Sequence, residues 1–165
     1  IRGKYQGKIQ AGKTIYDFDG IDGYHDHNWG IWRQINWSWG HAFSKEFAIF
    51  FGEIYLDDRS KGLFAGVYDS KGFVALFRPQ KLEFSEFKDA VPMNMKMQAE
   101  KRFTSMSLAG KAKHFVTTPL EDSDLQFVQY KMNYRLLMKI DGKEFQQDAT
   151  GNAETFVGSA RFRKN

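Results

Sequence analysis

The 165-residue sequence contains no cysteine, which excludes both a disulfide framework and a thiolate metal site. The same absence permits a cytosolic or other reducing location without fixing one. No apolar run is long enough to cross a membrane, and none has the form of a signal-peptide core. The net charge of +4 is spread over 24 basic residues scattered among 20 acidic ones. The densest basic group is Arg161-Phe162-Arg163-Lys164, and the basic stripe that duplex binding needs is missing, so no nucleic-acid partner is expected. Internal repeats, low-complexity tracts and linkers are also lacking. Residues 1–165 therefore read as one domain, long enough to bury roughly 70% of its unfolded surface without covalent staples. The chain begins with Ile1 rather than Met, and the expectation is a processed product or a piece of a longer polypeptide.

What the chain does have is aromatic residues: sixteen Phe, seven Tyr and four Trp against three Pro. Such residues suit pleated, half-buried surfaces and walls that enclose an apolar ligand. Helical periodicity is almost absent and period-2 alternation recurs. The clearest case is Tyr130, Met132, Tyr134, Leu136, Met138 and Ile140, with Lys131, Asn133, Arg135 and Lys139 between them and Leu137 as the exception. Asp141-Gly142 then predicts a hairpin turn into 143–150, because both residues tolerate positive φ. Further turns are expected at 11–13, 59–62 and 69–72, with strands at 4–10, 14–19, 35–43, 47–56, 63–69, 73–78, 81–87, 93–99, 103–109, 113–118 and 153–162. Strands joined by tight turns without helices predict an antiparallel meander, and closure into an up-and-down barrel hides its edges. Along 47–56 both alternating sets are apolar apart from Glu53, so the outward face needs a cover. A second barrel domain or a homodimer would supply it.

Gly7-Lys8-Ile9-Gln10-Ala11-Gly12-Lys13-Thr14 matches the phosphate-loop pattern letter for letter. That loop needs a buried strand before it and a helix after it. Only six residues precede this one, and the alternating Ile15-Tyr16-Asp17-Phe18-Asp19 follows. The stretch reads as a hairpin turning at Gly12-Lys13, not as a nucleotide site.

The richest stretch is Gly23-Tyr24-His25-Asp26-His27-Asn28-Trp29-Gly30, continuing through Trp32 to Trp37-Ser38-Trp39-Gly40-His41. So many proton-handling groups are costly to bury without a use. Three readings stand side by side. In the first, His25 and His27 share a strand face and His41 adds a third imidazole to a metal ion, although Asp26 would face the other way. In the second, Asp26 in an aromatic surround keeps its proton and donates it to an alkene, tuned or reloaded by His25 or His27. Tyr24, Trp29, Trp37 and Trp39 would then stabilise the developing cation through their ring faces. In the third, His, Asp and Asn form a buried hydrogen-bonded clasp and the tryptophans pack. Elsewhere, Glu53 shares a face with Phe51 and Tyr55 and is a candidate to point into a cavity, unless its place near a strand end explains it. Met93, Met95 and Met97 read as adaptable core, His114 as a surface residue, and Lys131, Arg135 and Lys139 as a solvated face.

The octapeptide 23–30, followed by Trp37-Ser38-Trp39-Gly40-His41-Ala42, resembles the signature of a lipocalin-like family. That family includes carotenoid 1,2-hydratase (hydroxyneurosporene synthase) and AttH-like proteins, and its layout is similar to that of fungal pericyclase relatives and tocopherol-cyclase-like proteins. Gly7 with Tyr16-Asp17-Phe18-Asp19, and the late Gly151-Asn152-Ala153-Glu154, fit the same layout. The resemblance implies an all-β, antiparallel lipocalin-like (calycin-type) β-barrel, with 1–165 as the C-terminal half of a two-barrel architecture. It implies acid-promoted hydration or cyclisation of an isoprenoid or polyene, without metal or organic cofactor. Its site residues carry over to Tyr24, His25, Asp26, His27, Asn28, Trp29, Trp37, Trp39 and His41. His41 is a departure, since relatives commonly carry arginine there. A non-catalytic carrier of a lipid or other apolar small molecule, with the motif as a clasp, is the alternative.

Overall fold

Strict alternation of apolar and polar side chains builds extended backbone, because successive residues point to opposite faces of a sheet. A computed structural model describes residues 2–25, 36–56, 59–120 and 125–157, and every regular element among them is a β-strand. They belong to two compact units, Ile1–Trp32 and Arg33–Asn165.

The first unit holds two small antiparallel ladders. Strand β1 (Arg2–Lys4) pairs with β4 (Asp22–Tyr24), and β2 (Lys8–Ala11) pairs with β3 (Thr14–Asp17). The phosphate-loop look-alike is thus an exposed hairpin turning at Gly12-Lys13, as its flanking residues predict. The single strand expected over 4–10 is broken, because Gly7 sits at φ 126 and donates its N–H to Asp19 Oδ1 at 2.7 Å.

The second unit is one sheet. In chain order its strands are β5 (Asn36–Phe43), β6 (Ala48–Leu56), β7 (Arg59–Asp69), β8 (Gly72–Phe77), β9 (Leu82–Lys88), β10 (Val91–Lys101), β11 (Thr104–Pro119), β12 (Gln126–Ile140) and β13 (Lys143–Val157). Their spatial order is β8-β7-β6-β5-β13-β12-β11-β10-β9, and every neighbouring pair is antiparallel. Eight reversals separate β8 from β9, so these two edge strands run in the same direction. They are also consecutive in the chain, joined only by residues 78–81. A flat sheet would hold its edges about 38 Å apart at about 4.8 Å per strand, whereas the link from Phe77 to Leu82 spans at most about 18 Å. The sheet therefore curls, and β8 and β10 approach one another. The inward alternation of Ala75, Phe77 and Pro79 resumes, after one extra residue, at Leu82. In effect β8 and β9 are one run that changes partner halfway.

The inner face of the curl is the core. On β12 the alternation is realised completely: Val128, Tyr130, Met132, Tyr134, Leu136 and Met138 are buried, and Leu137 is 45% exposed. Phe51, Phe77, Leu82 and Leu136 are almost fully enclosed, each contributing about 1.5–3 kcal/mol on burial. All six methionines face this interior, five within the core and Met93 packed against it. At the β12–β13 hairpin Asp141 and Gly142 adopt φ 48 and 83, the left-handed pair that a two-residue turn requires.

Three further expectations are corrected. The strands expected over 103–109 and 113–118 are one strand, β11, carrying an irregularity between Ala112 and His114. Those expected over 143–150 and 153–162 are likewise one strand as far as Val157, and 158–162 lie outside the described residues. Both apparent breaks hold a glycine placed for close approach: a Cβ on Gly110 would come 2.7 Å from the Tyr134 ring, and one on Gly151 would overlap the His41 carbonyl. The turn expected at 59–62 is extended backbone, where Arg59 and Ser60 pair with Leu56 and Tyr55. No helix among the described residues is long and apolar enough to cross a membrane.

Candidate functional site

Of the ten residues singled out in the sequence, Asp26, His27, Asn28 and Trp29 lie outside the described residues. Tyr24 ends β4, in register with Arg2, and His25 follows it with an exposed side chain. Trp37, Trp39, His41 and Glu53 belong to the curled sheet, and cross-strand register divides them. Glu53 is opposite Ser38, and both are 2% exposed on the inner face. Trp37, Trp39 and His41 have the opposite parity on β5 and stand on the outer face.

That outer face is partly covered by its own rings. Trp39 lies 6.1 Å from Phe50 and 6.0 Å from Phe64, and Phe50 lies 5.6 Å from Tyr68, which meets Phe73 edge-on at 5.3 Å. Trp37 packs edge-to-face on Phe156 at 4.5 Å and 81°, while its Nε1 donates to Glu154 Oε1 at 3.0 Å. The outward side chains of 47–56 are thus half-covered by neighbours from β5 and β7, with Ile54 left 37% exposed.

Inside the curl the structure assembles a polar group of which only Glu53 is signalled by the sequence. Thr155, Ser38 and Glu53 occupy one row across β13, β5 and β6. The Ser38 and Thr155 hydroxyls share a hydrogen bond of 2.7 Å. Tyr55, two residues beyond Glu53, donates its hydroxyl to the Phe156 carbonyl at 2.9 Å and stands 3.4 Å from Thr155 Oγ1. Tyr130 comes from β12, in register with Ala153 and so diagonal to Thr155. Its residue is 3% exposed, and its hydroxyl has no hydrogen-bond partner among the described residues. Burial, with Tyr55 as a secondary contribution, pushes the Tyr130 phenol above its ordinary value. Burial alone does the same to Tyr134, whose hydroxyl donates to the Asn152 carbonyl at 3.4 Å.

The arrangement is a hydroxyl-rich, carboxyl-bearing patch on an otherwise apolar inner surface. A buried hydroxyl such as that of Tyr130, with no partner among the described residues, favours any group that completes its hydrogen bond. Ser38 and Thr155 are separated by 117 residues, so sequence parity alone could not bring them together. Among the described residues no three His, Asp or Glu side chains converge to hold a metal ion; the metal reading also requires His27, which lies outside them. Comparison with known proteins finds no family profile that matches the chain and no curated protein that matches it.

Proposed function

We propose that this chain is a lipocalin-like up-and-down barrel that binds an extended apolar molecule, of isoprenoid or polyene type, within its curled sheet. The observation that carries the reading is the sheet order. Counting β8 and β9 as one run leaves eight antiparallel runs around a continuous apolar face, an arrangement suited to holding one small ligand. The methionines among its lining adapt their shape readily, so the interior can re-pack around an inserted chain. On this reading Trp37, Trp39 and His41 belong to the outer surface, and the ligand meets the inner face.

A second reading rests on the likeness of the octapeptide 23–30 to carotenoid 1,2-hydratase-like proteins. In it Asp26 protonates a trisubstituted alkene, His25 and His27 orient or recharge it, and water or an internal nucleophile captures the cation. Solvent extraction of purified protein, with mass spectrometry and uptake of a C20 polyene, tests the first reading. A recurrent isoprenoid or saturable uptake is expected; a well-folded sample showing neither overturns it. Asp26→Asn tests the second, because it keeps the shape and removes the acid. Turnover should vanish with binding retained, and unchanged turnover refutes the assignment.

A further inference from the structure

Most of the hydroxyls in the inner polar group have a partner. Ser38 and Thr155 hold each other, and Tyr55 holds the Phe156 carbonyl. Tyr130 is different: its hydroxyl is buried and lacks a hydrogen-bond partner among the described residues. A buried polar atom in that state calls for a water, a ligand or a functional reason. Around it the register places Ala153 and Phe115 on either side, with the Phe115 ring centroid 6.3 Å away, so its immediate strand neighbours offer apolar contact. Thr155 stands diagonally across β13.

We infer that the Tyr130 hydroxyl is the anchoring donor for a neutral oxygen, an alcohol or a carbonyl, at one end of the apolar ligand. The inference rests on the apolar-ligand reading above and adds the chemistry of the ligand's polar end. Two features set that chemistry. With its phenol pushed upward by burial, Tyr130 keeps its proton at neutral pH and offers an O–H. The partners that strand register gives Tyr130, Phe115 and Ala153, are apolar, so an ionised carboxylate on the ligand would lose its hydration beside them. That cost selects a neutral oxygen over a fatty-acid-type anion.

Equilibrium dialysis with farnesol, farnesene and farnesoic acid tests the inference, because the three share one chain and differ at its end. Wild-type protein should bind farnesol most tightly and ionised farnesoic acid less well. Tyr130→Phe removes only the hydroxyl, and it should weaken farnesol binding about 5–10-fold, the scale of one net hydrogen bond. It should leave farnesene within about twofold. The unfolding temperature should hold or rise, since the variant loses a hydroxyl that has no partner among the described residues. Equal losses for farnesol and farnesene, no loss for farnesol, or tighter binding of the acid would each overturn the anchor while leaving the apolar-ligand reading in place. A fall of several degrees in unfolding temperature would assign the hydroxyl to the fold and overturn it as well. If wild-type protein binds none of the three, the anchor and the apolar-ligand reading fall together.

Discussion

Gly151→Ala should be among the most damaging single-methyl additions in this protein. The added Cβ overlaps the His41 carbonyl oxygen and lies 2.8 Å from its carbon and 3.1 Å from Ala42 Cα. All three atoms are backbone, so no side-chain rotation relieves the clash. Strand β5 cannot retreat cheaply, because its other edge is hydrogen-bonded to β6 from Asn36 to Phe43. Relief must come from separating β13 from β5, where Thr150, Ala153, Glu154 and Thr155 pair with Phe43, Gly40, Trp39 and Ser38. Overpacking alone costs about 1–3 kcal/mol, and each ladder hydrogen bond lost adds about 0.5–1.5 kcal/mol. The restricted unfolded chain returns about 0.4–1 kcal/mol. The net expectation is about 3 kcal/mol, or roughly a hundredfold in the folded-to-unfolded ratio. In urea unfolding, with a slope of about 2 kcal/mol per molar, the midpoint should fall by about 1.5 M. Gly62→Ala is the control: a Cβ there meets no atom within 4 Å, and the same assay should show an unchanged or slightly higher midpoint. A Gly151→Ala midpoint within about 0.3 M of wild type, at an unchanged slope, would refute the backbone contact on which the calculation stands.

Two further expectations concern the buried phenols. Tyr55→Phe strands the Phe156 carbonyl that Tyr55 now satisfies and should cost about 1–2 kcal/mol in chemical unfolding; a loss below about 0.3 kcal/mol would mean the bond is not formed in solution. Tyr130 and Tyr134 both titrate above the ordinary phenol value of 10.0 in the folded state. Above that pH the unfolded chain therefore releases protons that the folded chain keeps, so stability does not vary with these phenols below pH 10 and declines as the pH rises above it. The slope is about 1.4 kcal/mol per pH unit for each phenol. Unfolding midpoints at pH 9, 10 and 11, with phenolate absorbance followed in parallel, would check it; early ionisation of both phenols without loss of structure would contradict it.

Much of the sheet was legible because its strongest signals are local. The alternation from Tyr130 to Ile140 and the Asp141-Gly142 turn each state their geometry within a few residues. Gly110 and Gly151 resemble breaks because a glycine looks the same in sequence whether it ends a strand or lets another chain segment approach it. Only the ring of Tyr134 and the carbonyl of His41 decide between the two. The turn at Asp89 and Ala90, with φ 49 and 66, escaped notice because alanine seldom adopts that conformation. The candidate site was legible only as far as parity carries. Alternation says that Trp37, Trp39 and His41 share a face and that Phe51, Glu53 and Tyr55 share one, but whether those faces coincide is set by register. The pairing of Ser38 with Glu53 puts them on opposite sides. Alternation alone puts Tyr130 on the apolar face, yet nothing in its neighbours along the chain signals a hydroxyl without a partner among the described residues.

The continuity of β8 into β9 bears on how such a protein can change over evolutionary time. Because the first and last strands of the curled sheet pair antiparallel, the circuit of runs closes only if their number is even. Adding or deleting one strand would force a parallel neighbour and a crossover the length of the sheet. Adding or deleting a whole hairpin preserves the parity. The stretch around residues 78–81 offers a third route: lengthening it would let β8 and β9 separate into two strands, while straightening it would merge them. Enlargement or contraction of this architecture is thereby expected to proceed in units of two strands, with this partner-changing run as the one position where a strand can be gained or lost by degrees.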